Sequence, residues 1–228
     1  MPSKGTVSGE YGSQVLALFD LDNTLIDRQA GLDTWVRQFV RARGLECGAE
    51  VIIRERLSER AYPSDFETLR ARLGLAEPAD ALWQEYISGV ARSVRCFPGV
   101  PEALSTLRAE GWTLGIATNG AGEIQRAKLA ATGLASAFDG ICVSEEIGSR
   151  KPELAHFEAA ASLSGRRLSE GGWMIGDNPT TDIGGACAAG LRTAWVSHGC
   201  AWAEGPHVPD IEAESVVGAI EALRARER

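Results

Sequence analysis

Apolar residues follow two different rhythms along this chain, and the change of rhythm divides it. The first strong run is Val15-Leu16-Ala17-Leu18-Phe19, continuously apolar and ended abruptly by Asp20. A run of this kind suits a strand buried on both faces, as in a parallel sheet covered by helices. Similar short runs recur at residues 113–117, 140–143, 172–175 and 193–196. Helical patterns lie between them, over residues 101–110, 123–132, 152–163 and 180–189. Gly111, Gly133, Gly165 and Gly190 close these segments, as glycine often does at helix C-termini. Strands alternating with helices predict an α/β fold with right-handed crossovers.

Residues 29–96 break the alternation, because no strand pattern occurs there. Leu32, Trp35, Val36, Phe39 and Val40 follow i, i+3, i+4, i+7, i+8 spacing, one face of a helix. Leu69 and Leu73, then Trp83, Ile87, Val90 and Val94, predict further helices, with turn signals at residues 62–65 and 77–78. The expected organisation is therefore a helical unit, residues 29–96, inserted in a core made of residues 14–28 and 97–228. Residues 1–13 are polar and Gly/Ser-rich, without the apolar run of a signal peptide, and read as a disordered lead-in.

Composition narrows the partners. The 228 residues carry a formal charge of −8 and show no basic run, which argues against tracking a nucleic-acid backbone. No apolar stretch approaches a membrane span. Cys47, Cys96, Cys142, Cys187 and Cys200 are far apart and form no C-x-x-C pair. That pattern fits reduced thiols of a cytoplasmic protein better than a disulfide framework or a zinc site. Cys142 within Gly-Ile-Cys-Val reads as core filling. Trp35, Trp83, Trp112, Trp173 and Trp195 read as core or interface residues, and His156, His198 and His207 as surface or loop residues.

Ligands of open α/β sheets bind outside the carboxyl ends of the strands, so the residues that follow each apolar run matter most. The first run delivers Asp20-Leu21-Asp22-Asn23-Thr24 and the second Thr118-Asn119. The third leads to Lys151-Pro152, and the fourth delivers Gly176-Asp177-Asn178-Pro179-Thr180-Thr181-Asp182. Carboxylates brought together this way repel one another unless a cation sits among them, and hard oxygen ligands favour Mg²⁺, which also coordinates phosphate. A carboxylate beside Mg²⁺ and a phosphoryl group can act as nucleophile, and a second can protonate the leaving oxygen and deprotonate water. Residues two apart on an extended segment point the same way, so Asp20 and Asp22 can divide those roles. Thr118, the amide of Asn119 and Lys151 are candidates to hold the other phosphoryl oxygens. Lysine is rare here, present only as Lys4, Lys128 and Lys151 among many arginines. Lys151 thus suggests that a compact point charge is wanted. Each motif taken singly is an ordinary turn or helix entrance; their order, spacing and strand-end placement carry the reading.

With these four motifs the chain resembles the haloacid dehalogenase superfamily over nearly all its length after Ser13. The resemblance implies a Rossmann-like parallel sheet with residues 29–96 as a C1-type cap. It implies Asp20 as nucleophile and Asp22 as general acid/base that lends its carbonyl to the metal. It further implies Asp177 as a Mg²⁺ ligand and Asp182 as a second metal-site carboxylate. Many members have glycine where Asn23 stands, and asparagine is the best substitute where φ is positive. Dehalogenases of the family lack the second aspartate of the first motif, so Asp22 points to phosphoryl transfer. Phosphonatases use a cap lysine, and residues 29–96 contain none. The expected activity is hydrolysis of a small phosphorylated metabolite. The alternatives are a mutase of the β-phosphoglucomutase type and a catalytically idle binding module. Arg28, Gln29, Arg60 and Tyr62 are candidate cap or hinge residues near the substrate. The partners expected are that metabolite, with neither nucleic acid nor membrane, and the chain is either monomer or homodimer.

Overall fold

The computed structural model describes residues 15–46, 48–203 and 207–228. The expected lead-in and Cys47 lie outside the described residues. Six strands form one sheet: β1 (Leu16–Phe19), β2 (Thr113–Thr118), β3 (Gly140–Val143), β4 (Trp173–Gly176), β5 (Arg192–Val196) and β6 (Ile211–Ala213). Their order is β3-β2-β1-β4-β5-β6, and every pairing is parallel. This is the Rossmann-like order, and it puts a topological switch point between β1 and β4.

Why β1 is central follows from its side chains. All four of its residues are buried. Successive residues of a strand point to opposite faces. Leu16 and Leu18 join a cluster with Met174, Phe157 and Ala160, while Ala17 and Phe19 join the larger cluster with Ile116, Trp173 and Leu104. One face is thus covered by α8 (Leu154–Leu163), which follows the short α7 (Ser144–Ile147), the other by α5 (Val100–Ala109) and α10 (Val216–Arg226).

Between β1 and α5 the chain forms four helices, α1 (Arg28–Arg43), α2 (Ala49–Leu57), α3 (Pro63–Leu73) and α4 (Ala79–Ser93). The apolar faces expected there meet in an aromatic cluster. Trp35 of α1 packs edge-on against Tyr86 of α4 with ring centroids 5.0 Å apart, and Phe66 of α3 lies 5.3 Å from Tyr86. Gly89 permits this approach, since a Cβ there would stand 2.2 Å from Cδ1 of Trp35. The insertion is docked on α6 (Gly122–Thr132) of the core: Trp83 Nε1 donates to Glu123 Oε2 at 2.7 Å.

Three parts differ from the sequence expectation. A single helix over residues 180–189 is replaced by a wide π-type turn, Pro179–Gly184, followed by the short α9 (Gly185–Ala188). The chain is pinned there from both sides. Asn178 accepts hydrogen bonds from the amides of Thr180 and Thr181, and Gly185 sits so close to Pro152 that a Cβ would fall 2.7 Å from Pro152 Cβ. Single π-turns of this kind are frequent at functional sites. The other two are β6 and α10, which complete the sheet beyond residue 196. β6 has only three residues, one of them the exposed Glu212, too few for a period to show. No helix of the described residues is long and apolar enough to cross a membrane.

Candidate active site

The carboxyl edge of the sheet at the switch point gathers the motif residues. Asp20 follows β1 directly and is 7% exposed; its amide donates to Ile175 O of β4 at 2.9 Å, which fixes it beside the next strand end. Lys151, 1% exposed, comes in from the loop before α8 and bridges two carboxylates. Its Nζ lies 2.6 Å from Asp20 Oδ1 and 2.7 Å from Asp182 Oδ1. Asn119 holds that loop. Its side chain donates to Lys151 O at 3.0 Å and accepts from Lys151 N at 2.9 Å, around a cis Lys151-Pro152 peptide. The Asn119 side chain is therefore occupied in placing Lys151, and its backbone amide is the part left for a ligand.

β4 supplies the rest. Thr24 Oγ1 donates to Asp177 Oδ1 at 3.2 Å and Trp195 Nε1 donates to Asp177 O at 2.8 Å. Asp182 is buried beneath the turn, where Oδ2 accepts from Asn178 N at 3.1 Å. The glycine before Asp177 has a steric reason: a Cβ on Gly176 would stand 2.2 Å from Asp182 Oδ2. One carboxylate oxygen from each of Asp20, Asp177 and Asp182 lies within 4.8 Å of the others.

The electrostatics of this cluster are compatible with a metal site. Burial raises the Asp20 carboxyl well above its usual value, and Asp182 and Asp177 add to the rise against the pull of Lys151. Burial and Asp182 push Asp177 up to about 6. Although burial opposes it, the Lys151 ammonium is held above its ordinary value by Asp182 and Asp20. Three carboxylates against one ammonium leave two negative charges, which a hard divalent cation matches in charge and in donor type.

Asp22 stands apart from the cluster. Lys128 Nζ is 2.8 Å from both of its carboxylate oxygens, Gln125 Nε2 is 3.2 Å from Oδ2, and Arg28 Nε is 3.9 Å from Oδ2. Burial raises the Asp22 carboxyl, but Lys128, Arg28 and Gln125 together outweigh that and hold it below its usual value. Asn23 turns the chain between these aspartates and Thr24 with φ 60°, a positive value that asparagine tolerates better than most residues. Thr118, 1% exposed, accepts from Gln125 Nε2 at 2.7 Å.

A cavity of about 110 Å³ joins these groups, bordered by Asp20, Asp22, Thr118, Asn119, Lys151, Asp177 and Asp182 and, from the start of α1 and the loop after α2, by Arg28, Glu59 and Arg60. Every expected site residue thus borders one space. Of the four cap or hinge candidates, Arg28 and Arg60 reach it, whereas Gln29 and Tyr62 do not. Three residues escaped the sequence expectation. Glu59 sits on a short loop after α2 with no pattern to mark it. Gln125 and Lys128 lie within a helix otherwise read only for its period, yet Lys128 shared with Lys151 the rarity that had singled Lys151 out. His156 also needs correcting. It is 0% exposed, because Nδ1 donates to Ser149 O at 2.9 Å and the ring packs edge-on against Phe157. Cys96, Cys142, Cys187 and Cys200 are free thiols, and Cys142 is buried in the core as expected.

Residues 17–196 match the haloacid dehalogenase-like hydrolase family. The chain belongs to that family. Its relatives make it phosphatase-like within it. A phosphoserine phosphatase of Thermus thermophilus is 36% identical over 64% of this chain, which spans 59% of that relative's length. The pyrimidine 5′-nucleotidase PynA of Streptococcus pneumoniae is 27% identical over 78% of this chain and 81% of its own. Among solved structures, the HAD-hydrolase YfnB of Bacillus subtilis, bound to magnesium, shares the fold with a TM-score of 0.72. It is 23% identical, with 93% of this chain and 98% of that chain covered.

Proposed function

We propose that the chain is a Mg²⁺-dependent phosphomonoesterase that forms an aspartyl-phosphate on Asp20. The observation that carries this is the division of the aspartates: three share a buried cluster with Lys151, while Asp22 is held apart by Lys128 on the same cavity. Asp20, Asp177 and Asp182, with the Asp22 carbonyl, would hold the Mg²⁺, which when bound neutralises phosphoryl charge and screens the carboxylates from one another.

The remaining work falls to the chain's own groups. Thr118, the Asn119 amide and Lys151 bind the phosphoryl oxygens and place phosphorus in line with Asp20. An Asp20 oxygen attacks phosphorus, the bond to the leaving oxygen breaks, and that oxygen takes a proton from Asp22. Asp22, now a carboxylate, removes a proton from water as the water attacks the aspartyl-phosphate; inorganic phosphate departs and Asp22 is protonated again for the next turnover. Ion pairing to Lys128 favours the carboxylate form, the state that accepts this proton, and works against the protonated form that the first step uses.

The insertion, residues 29–96, serves as the cap that closes the cavity and selects the substrate. Polar and charged side chains line that cavity, and the recess that shares Asp22, Arg28, Glu59, Arg60 and Asn119 with it adds Tyr86 and Ile124. The reduced thiols and the metabolite-sized site fit a cytoplasmic enzyme.

Hydrolysis of an aryl phosphate with Mg²⁺, with EDTA and with Asp20→Asn tests the proposal. Turnover that requires both the metal and Asp20 is expected, with free phosphate as product. Activity that survives in EDTA, or in Asp20→Asn, contradicts it.

A further inference from the structure

One buried cation enters the steps above only through its ion pair with Asp22. Lys128 lies on α6, 2% exposed, and lysine is almost never buried to this degree unless it is paired. Its partners are complete. Nζ contacts both oxygens of Asp22 at 2.8 Å and donates to Gln125 Oε1 at 2.8 Å. Gln125, three residues earlier on the same helix face, donates in turn to Thr118 Oγ1 at 2.7 Å. Lys128 does not border the cavity that holds Asp20; it borders a narrow recess beside it, which shares Asp22, Arg28, Glu59, Arg60 and Asn119 with that cavity.

A buried ion pair is a poor way to stabilise a fold, since packed apolar residues of the same volume serve as well or better. The pair is better explained by what it does to Asp22. The two residues of that network face the carboxylate from α6, and Arg28 faces it from α1, with its other nitrogens bound to Leu57 O and Ser58 O at 2.6 Å. We propose that Lys128, steadied by Gln125, is the positioning residue for Asp22. It fixes the carboxylate in the orientation from which a proton passes to the leaving oxygen and from water, and it does so without touching substrate. This rests on the acid/base reading of Asp22.

The test compares two substrates. A nitrophenyl phosphate releases a leaving group that needs no proton, whereas a simple alkyl phosphate releases one that does. In kcat/KM, which reports the first phosphoryl transfer, Lys128→Met is expected to lose about a hundred-fold on the alkyl ester, the scale of general acid catalysis, and only a few-fold on the aryl ester. KM for both should be little changed. The double variant Lys128→Met/Asp22→Asn should lose no more on the alkyl ester than Asp22→Asn alone, because the two act as one unit. Gln125→Leu, which keeps the ion pair, should show the same split in weaker form and serves if Lys128→Met does not fold. Equal losses on both esters for the Lys128 and Gln125 variants, with a clear split for Asp22→Asn, overturn this inference alone. Equal losses for Asp22→Asn as well overturn the acid/base reading with it.

Discussion

Replacing Asp177 with asparagine should make the metal-free protein more stable while abolishing its activity. Burial and Asp182 hold this carboxyl at about 6, against an ordinary value of 3.8. For an acid whose pKa is raised by folding, the folded state binds the proton more tightly than the unfolded chain. The associated stability is fully present below the unfolded value and is lost as pH rises through the folded one. The shift corresponds to about 3 kcal/mol above that range, at about 1.4 kcal/mol per unit; discounted for the partial exposure of Asp177, about 1–2 kcal/mol remains. Asparagine removes the charge yet keeps an oxygen to accept from Thr24, whose hydroxyl donates to Asp177 Oδ1 at 3.2 Å. In a chain of this size that gain corresponds to a Tm rise of about 2–8 °C. Thermal unfolding near neutral pH in EDTA measures it directly. Asp177→Asn should melt above wild type in EDTA, and added Mg²⁺ should raise the wild type but not the variant. A variant that melts below wild type in EDTA refutes the picture of an over-charged carboxylate cluster.

Three further changes probe other parts of the account. Gly176→Ala puts a Cβ 2.2 Å from Asp182 Oδ2 and should lower kcat about a hundred-fold by displacing Asp182 and Lys151, with the circular dichroism spectrum unchanged; wild-type kcat would show that this contact does not set the site. Gly89→Ala drives a Cβ to 2.2 Å from Trp35 Cδ1 and should cost about 1–3 kcal/mol of overpacking in the insertion, read as a lower urea midpoint. His156 is held down to about 4 chiefly by burial, so the unfolded chain takes up its proton first. The stability His156 contributes is present above about 6.5 and is lost as pH falls towards 4, up to about 3 kcal/mol; His156→Asn should flatten that part of the pH–stability curve, and an unchanged slope would count against a buried neutral imidazole.

The sheet was largely legible in the sequence because parallel strands covered on both faces must be continuously apolar, and Leu16–Phe19 is such a run with Asp20 as its sharp end. The site was legible for the same reason: its groups stand where apolar runs stop, so Asp20, Thr118 and Asp177 announce themselves by position. What could not be read depends on contacts between distant segments. The turn at Pro179–Gly184 looks helical locally, and Pro152, which packs against Gly185, lies too far along the chain to be read with it. The burial of His156 reflects α8 packing on β3, where Cys142 Sγ lies 4.0 Å from its Nδ1. Lys128 was half visible. Its rarity was plain, but its partner lies 106 positions away on β1's loop, and helical period alone could not connect them.

The central claim is a covalent bond between phosphorus and one oxygen of Asp20. Rapid acid quench of the Asp22→Asn variant with substrate and Mg²⁺, followed by digestion and tandem mass spectrometry, measures it most directly. Without its base the variant should accumulate the intermediate. A hydroxylamine-labile phosphoryl group on Asp20, absent from Asp20→Asn, is the predicted result. A phosphoryl group on any other residue, or an unmodified Asp20 in a sample that has released leaving group stoichiometrically, would contradict the account.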